Sequence, residues 1–263
     1  MRVVAILAAH NEQRFIGHCL EQFHHHGVDT YLIDNDSTDA TAEIAERHLG
    51  RGLIEIERVP RHGIYSWKPI LARKAAIAAE LDTDWLIHAD PDEVRLPPAG
   101  DDTLAAALAR ADEDGFNAVN FQEFTFLPTV EEPDHDHPGF PETMRRYYPF
   151  LPSFPHRLNA WKQTGGPVDL AQSGGHRVEF AGLRMHPQSF PMRHYLFLSR
   201  EHGVEKYAAR TYDPAEVASG LHRARAAMLP EDIRLPRSAE LRRYRGDALL
   251  DASEPLTSHP CFP

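Results

Sequence analysis

Three short stretches carry most of the chemistry this chain can offer. They are His10-Asn11-Glu12, the run Asp34 to Asp39 within LIDNDSTD, and Asp90, Asp92 and Glu93 within HADPDE. Each ends a run of apolar residues. Carboxylates crowded together raise each other's pKa unless a cation or a donor-rich ligand balances them. Asp90, Asp92 and Glu93 supply hard oxygen atoms, a donor set that suits Mg2+ or Mn2+ and not zinc. Two carboxylates cannot fill an octahedral shell, so water, a distant side chain or a phosphate-bearing substrate has to complete it. A diphosphate bridged by the metal meets that requirement. Taken singly, each stretch reads more simply as loop polarity, because Asp, Asn and Ser are favoured where a strand turns into a helix.

The elements needed to hold these residues are legible. Residues 3–9, VVAILAA, form an unbroken apolar run, as a strand buried on both faces requires. Asn11 is placed to cap a helix over 12–25, with Phe15, Ile16, Cys19, Leu20 and Phe23 on one face. DTYLID reads as a second strand, and Thr38 or Asp39 as the cap of the helix ATAEIAERHL. LIEIERV, the helix PILARKAAIAAEL with Pro69 in its first turn, and the strand DWLIHAD follow. Such alternation predicts an α/β fold with an open, mostly parallel (mixed) sheet flanked by helices. Ligands of such sheets bind at the carboxyl ends of the strands, where all three polar stretches fall.

Further along, DTLAAALARADEDG reads as a helix and NAVNFQEFTFL as a strand. Residues 128–156, rich in Pro and acids, read as an aperiodic functional flap. HRLNAW and HRVEFA read as short strands, and LFLSREHGVEKYAAR and AEVASGLHRARAAML as helices. The Pro-interrupted last 25 or so residues are expected to be weakly ordered.

Composition narrows the function. The 263 residues carry 28 Lys+Arg against 39 Asp+Glu, a formal charge of −11. That balance argues against nucleic acid or an anionic membrane as a nonspecific partner, since both need a cationic face. The only cysteines, Cys19 and Cys261, cannot make a disulfide framework. Reduced thiols, a short apolar start read as a strand, and no run of about 20 apolar residues together suggest a cytoplasmic protein. Lipid-linked substrates would be met from the water side, by peripheral contact.

The order AAHNE, LIDNDSTD, WLIHADPDE resembles the family 2 glycosyltransferases of GT-A fold, most clearly over residues 2–98. A looser similarity runs through HRLNAW, SGGHRV and MRHYLFLSREHGVEKY to about residue 207, towards a family 2-like branch with a D-x-D-E signature. The resemblance implies a Rossmann-like nucleotide-sugar-binding half over 1–98, an acceptor half over 99–207 and a C-terminal helical extension and tail over 208–263. It implies that Ala8, Ala9 and Glu12 lie along the nucleoside and that Asp34 accepts from a pyrimidine ring N–H, with Asp36 nearby. Asp90 would lie near the ribose and metal, and Asp92 would bind the metal, Mn2+ or Mg2+. Ser37, Thr38 and Asp39 would cap the next helix. The donor would be a UDP- or dTDP-type sugar; a saccharide, lipid-linked or protein acceptor is left open.

The family's third metal ligand, a C-terminal His, matches His194 best, with His186 as runner-up. Lys68 is placed to reach a phosphate. The reaction would invert the anomeric carbon in one displacement, with a base on the acceptor side: Asp169 first, then His176 and Glu123. The GGP and SGGH segments suit closure over a substrate. His24-His25-His26 reads as structural, because adjacent helical residues point apart. The HDH at 135–137 has no assigned role beyond a lid. Two alternatives stand beside this reading. DNDST also matches a haloacid dehalogenase-like phosphatase with Asp34 as nucleophile and Asp36 as acid/base, and a non-catalytic sugar-nucleotide-binding relative would keep the same pocket.

Overall fold

The computed structural model describes residues 1–263. The chain divides into two units. The first comprises residues 1–62, 67–121 and 155–192, and the second 63–66, 122–154 and 193–263.

In the first unit, strands β1 (Val3–Ala9), β2 (Asp29–Asp34), β3 (Leu53–Arg58) and β4 (Trp85–Ala89) are parallel, in the order β4-β1-β2-β3. On the outer side of β4 the sheet turns antiparallel through β8 (Arg157–Lys162) and then the first residues of β6 (Ala118–Phe126). This is the mixed, open α/β sheet that the alternation predicts. Its central strands are apolar throughout because both faces are covered. Val3, Ala5 and Leu7 join a layer with Ile16, Cys19, Leu20 and Phe23 of α1 (Ile16–His25) and Leu104 and Leu108 of α4 (Leu104–Glu113). Ile6, Ile33 and Leu86 point the other way, against Ile70, Leu71 and Ile77 of α3 (Trp67–Glu80). The short α2 (Thr41–Glu46) follows β2, and β5 (Glu93–Arg95) follows β4.

Several expectations differ from what forms. The helix read as 12–25 starts at Ile16, and Asn11 does not cap it. Asn11 takes a left-handed φ of 57° and turns its side chain to Thr38. HRVEFA forms no strand; Arg177 bridges Leu158 and Glu179 bridges Asp169 as isolated contacts.

The second unit contains the later residues of β6, paired antiparallel with β7 (Arg146–Phe150), which in turn pairs with β10 (Arg242–Arg243). Strand β9 (Phe190–Tyr195), whose last residues belong here, was hidden from a reading of periodicity by its Pro and Arg. The 128–156 segment is not an aperiodic flap. It holds α5 (Phe140–Thr143) and β7, and His135 donates its N–H to Leu198 O at 2.8 Å. The helix expected over 196–210 is α6 (Arg200–Gly203), capped by Ser199 and continued as a wider π turn over Val204–Ala208. That over 215–229 breaks into α7 (Pro214–Ala218) and α8 (Arg223–Ala226), because Gly220 and His222 adopt positive φ. The last residues are packed as well: Cys261 is fully buried beside Tyr148, Phe150 and Phe197, and the His259 ring stacks on Phe150 at 4.1 Å. A few apolar anchors suffice to fasten a polar tail. No helix is long and apolar enough to cross a membrane.

Candidate functional site

The carboxyl ends of β1, β2, β3 and β4 share one edge of the first unit. Ala9 is in register with Asp34, Asp34 with Arg58, and Leu7 with Ala89. The loops after β1 and β2 are stitched together. Asn11 N donates to Ser37 Oγ at 3.1 Å, Thr38 N to Asn11 Oδ1 at 2.8 Å and Glu12 N to Thr41 Oγ1 at 2.8 Å. Asp39 Oδ1 accepts from Thr41 N at 2.9 Å, but Ala40 holds the N-cap position of the second helix without a side-chain cap, and Ser37 and Thr38 bond Asn11 instead. Asn11 and Asp36 are the two residues with left-handed backbone here, a conformation Asn and Asp tolerate best. Asp34 is buried, its Oδ1 accepting from Ser37 N at 3.2 Å and its Oδ2 4.0 Å from Arg58 Nε. Asp36 is exposed, Ala9 and Asn35 are buried, and Ala8 and Glu12 are half-buried.

The acids after β4 divide their work. Glu93 is buried between two guanidiniums, with Arg95 Nη2 at 2.8 Å and Arg157 Nη1 at 3.3 Å. Its Oε2 also accepts from Asp90 N, which fixes the turn. Arg95 donates again to His88 O at 2.8 Å and lies over the Phe121 ring. Asp92 is 7% exposed. Asp90 keeps 32% of its side chain open, and its Oδ1 lies 3.6 Å from the ammonium of Lys74, which is completely buried. Lys74 also donates to Ala89 O at 2.9 Å and to His88 Nδ1 at 3.1 Å. A donor-only ammonium makes that nitrogen the acceptor and puts the ring proton on Nε2. Burial brings the Lys74 pKa down to about 8 against the opposing pull of Asp90. Burial, then the Lys74 charge, holds His88 well below the usual imidazole range, so its ring is neutral. Asp90 is pushed up by partial burial and drawn back by Lys74. Cys19 lies buried beneath this turn, its thiol pushed up by desolvation.

Lys74, Arg95 and Arg157 escaped the sequence reading. Lys74 had left a signal: it sits within the apolar stripe Ile70, Leu71, Ile77, Ala78 at helical spacing, where an unpaired lysine would be costly. Arg95 similarly interrupts the buried Val94 and Leu96.

The remaining candidates are dispersed. Lys68 is exposed in the first turn of α3. Asp169 is exposed, and its Oδ1 accepts from Ala171 N at 2.7 Å and Gln172 N at 3.0 Å, capping the turn that leads to Ser173-Gly174-Gly175. That turn is hydrogen-bonded to its neighbours. Trp67 Nε1 donates to Gly174 O at 2.8 Å and Asn159 Nδ2 to Gly175 O at 2.9 Å. Gly175 has φ +87°, and a Cβ there would meet His88 Nε2 at 3.0 Å and Leu71 Cδ2 at 3.1 Å. His176 is exposed, stacked on His156, with Nδ1 3.3 Å from Arg157 Nη1. His186 closes a local loop through Gln188 O.

In the second unit, His194 is buried with Nδ1 2.7 Å from Glu123 Oε1, which also accepts from Thr125 Oγ1. His135 and His137 both engage Thr143. Of the His triplet, His24 fits against Gly52 and His26 O accepts from Ala105 N. No group of three or more His, Cys, Asp or Glu is gathered into a metal cage. A divalent ion on Asp90 and Asp92 would need further oxygens from water or from a ligand diphosphate.

No family model and no curated protein matches the sequence. Among solved structures, TarS residues 1–349 from S. aureus in complex with UDP matches at 17% identity and TM-score 0.39, over 48% of this chain and 36% of that one. TarS 1–349 also matches at 11% identity and TM-score 0.47, over 74% and 60%. The glycosyltransferase GlyE of Streptococcus pneumoniae matches at 16% identity and TM-score 0.28, over 48% and 30%. The chain thus spans between 30% and 60% of the length of these structures.

Proposed function

We propose that the chain transfers a glycosyl group from a nucleoside-diphosphate sugar to an acceptor hydroxyl, in the manner of the family 2 glycosyltransferases of GT-A type. The observation that carries this reading is the shared strand edge. A buried carboxylate, Asp34, ends β2, and the acidic turn Asp90–Glu93 ends β4, with only β1 between them. Two strand spacings put these ends about 10 Å apart, a span suited to a nucleoside whose diphosphate lies towards the acidic turn.

Asp34, held by Ser37 N and 4.0 Å from Arg58, would accept from a pyrimidine N–H. Asp90 would face the ribose and Asp92 the diphosphate. The two carboxylates fit a divalent cation as part of a shell, and such an ion would balance the charge of the departing diphosphate. Glu93, saturated by Arg95 and Arg157, stays out of that set and fixes the turn. Ala8, Ala9 and Glu12 would line the nucleoside, and Lys68 would reach a phosphate. Proton removal from the acceptor is assigned to Asp169 or His176, and inversion follows from a single displacement with no covalent intermediate.

The test is thermal stabilisation by UDP, dTDP, GDP and ADP, each with and without Mn2+. Stabilisation by a pyrimidine diphosphate that requires the metal supports the reading, and silence towards every nucleotide under both conditions ends it. Asp92→Ala should keep the melting temperature of the ligand-free protein and lose the metal-dependent part of the shift.

A further inference from the structure

We propose that Lys74 is a positioning residue for the donor nucleotide, acting through Asp90. The inference rests on the donor-site reading above and extends it to a residue on a different element. Lys74 rises from α3 beneath the sheet edge with no exposed surface. Its three N–H directions meet His88 Nδ1 at 3.1 Å, Ala89 O at 2.9 Å and Asp90 Oδ1 at 3.6 Å. Two of those partners are neutral, so the ion-pair partner of the ammonium is Asp90, with Glu93 adding a weaker attraction.

The consequence for Asp90 is geometric and electrostatic. One oxygen is drawn inward towards the ammonium, and the open third of the side chain leaves the carboxylate to accept from a ligand hydroxyl. A buried positive charge at that distance also opposes a second cation on the same carboxylate. The pair therefore assigns Asp90 to the ribose and leaves cation binding mainly to Asp92. A lysine buried only for packing would do neither.

The experiment is calorimetric titration of UDP into the full chain at several Mn2+ concentrations, for wild type, Lys74→Met, Asp90→Asn and the double variant. Lys74→Met should weaken UDP at least about tenfold, while in the Asp90→Asn background it should cost less than about twofold. The Mn2+ concentration giving half-maximal UDP binding should fall in Lys74→Met, because an opposing charge has gone. Should Lys74→Met fail to fold, Lys74→Gln keeps a donor for Ala89 O and loses the charge. Full additivity of the two substitutions, or unchanged UDP and Mn2+ dependence, overturns the proposal while sparing the donor-site reading. A wild type that binds no nucleoside diphosphate overturns both.

Discussion

Glu93 shows how a residue read from sequence as a ligand becomes part of the frame. Its two carboxylate oxygens meet Arg95 and Arg157, all three buried. Glu93→Gln leaves two guanidiniums without their counter-charge and should cost about 3–5 kcal/mol, read by urea unfolding. Lys74 makes a second prediction at this scale. Its folded pKa of about 8 lies below the ordinary lysine value, so the native state holds fewer protons than the unfolded chain above pH 8. Stability must then rise with pH in that window, and wild type should gain on Lys74→Met between about pH 7.5 and about pH 9.5. An unfolding difference that stays flat over that range would contradict it. Asp34, Asp90 and Asp92 stand out in the sequence because acids after apolar strands are conspicuous. Lys74 beside Asp90 and Arg157 beside Glu93 were hidden, because pairing across elements leaves no mark in local spacing.

Elements position the site by close approach. The Ser173-Gly174-Gly175 turn lies against α3, β4 and β8, where Trp67 of α3 and Asn159 of β8 donate to it and Gly175 leaves no room for a side chain. Gly175→Ala combines left-handed strain with a push on the His88 ring, and should destabilise by about 1–3 kcal/mol. Loss of UDP affinity in the same variant would show that the push reaches the Lys74 network through His88. Strands β1 and β4 were legible as apolar runs, and helices α3 and α4 because each keeps one apolar face over its length. The break in the 215–229 helix was read through: Gly220 is a weak helix former that ends helices in a left-handed turn, and His222 follows it into positive φ. The starting point of α1 was misjudged for a related reason: Asn11 has the chemistry of a cap, but Thr38 claims its side chain.

For the molecule, the tail matters more than its composition suggests. Residues 242–263 supply β10, the His259 ring on Phe150 and the buried Cys261 of the second unit's core. Truncation after Leu241 should make that unit sensitive to limited proteolysis while β1 to β4 stay protected, a difference that peptide mapping would reveal. Polar content and prolines argued for disorder here; His259, Cys261 and Phe262 decided otherwise, and Tyr148, which His259 meets, lies 111 residues away in sequence.

The antiparallel cover of β4 has a consequence during synthesis. The strand that seals its outer edge, β8, is encoded from residue 157 onward, long after β1 to β4 have left the ribosome. For that interval the nascent protein carries a naked row of amides and carbonyls beside an apolar face, the kind of surface on which neighbouring chains aggregate. Slowed translation between residues 89 and 157 should therefore lower soluble yield, and a holdase chaperone should restore it.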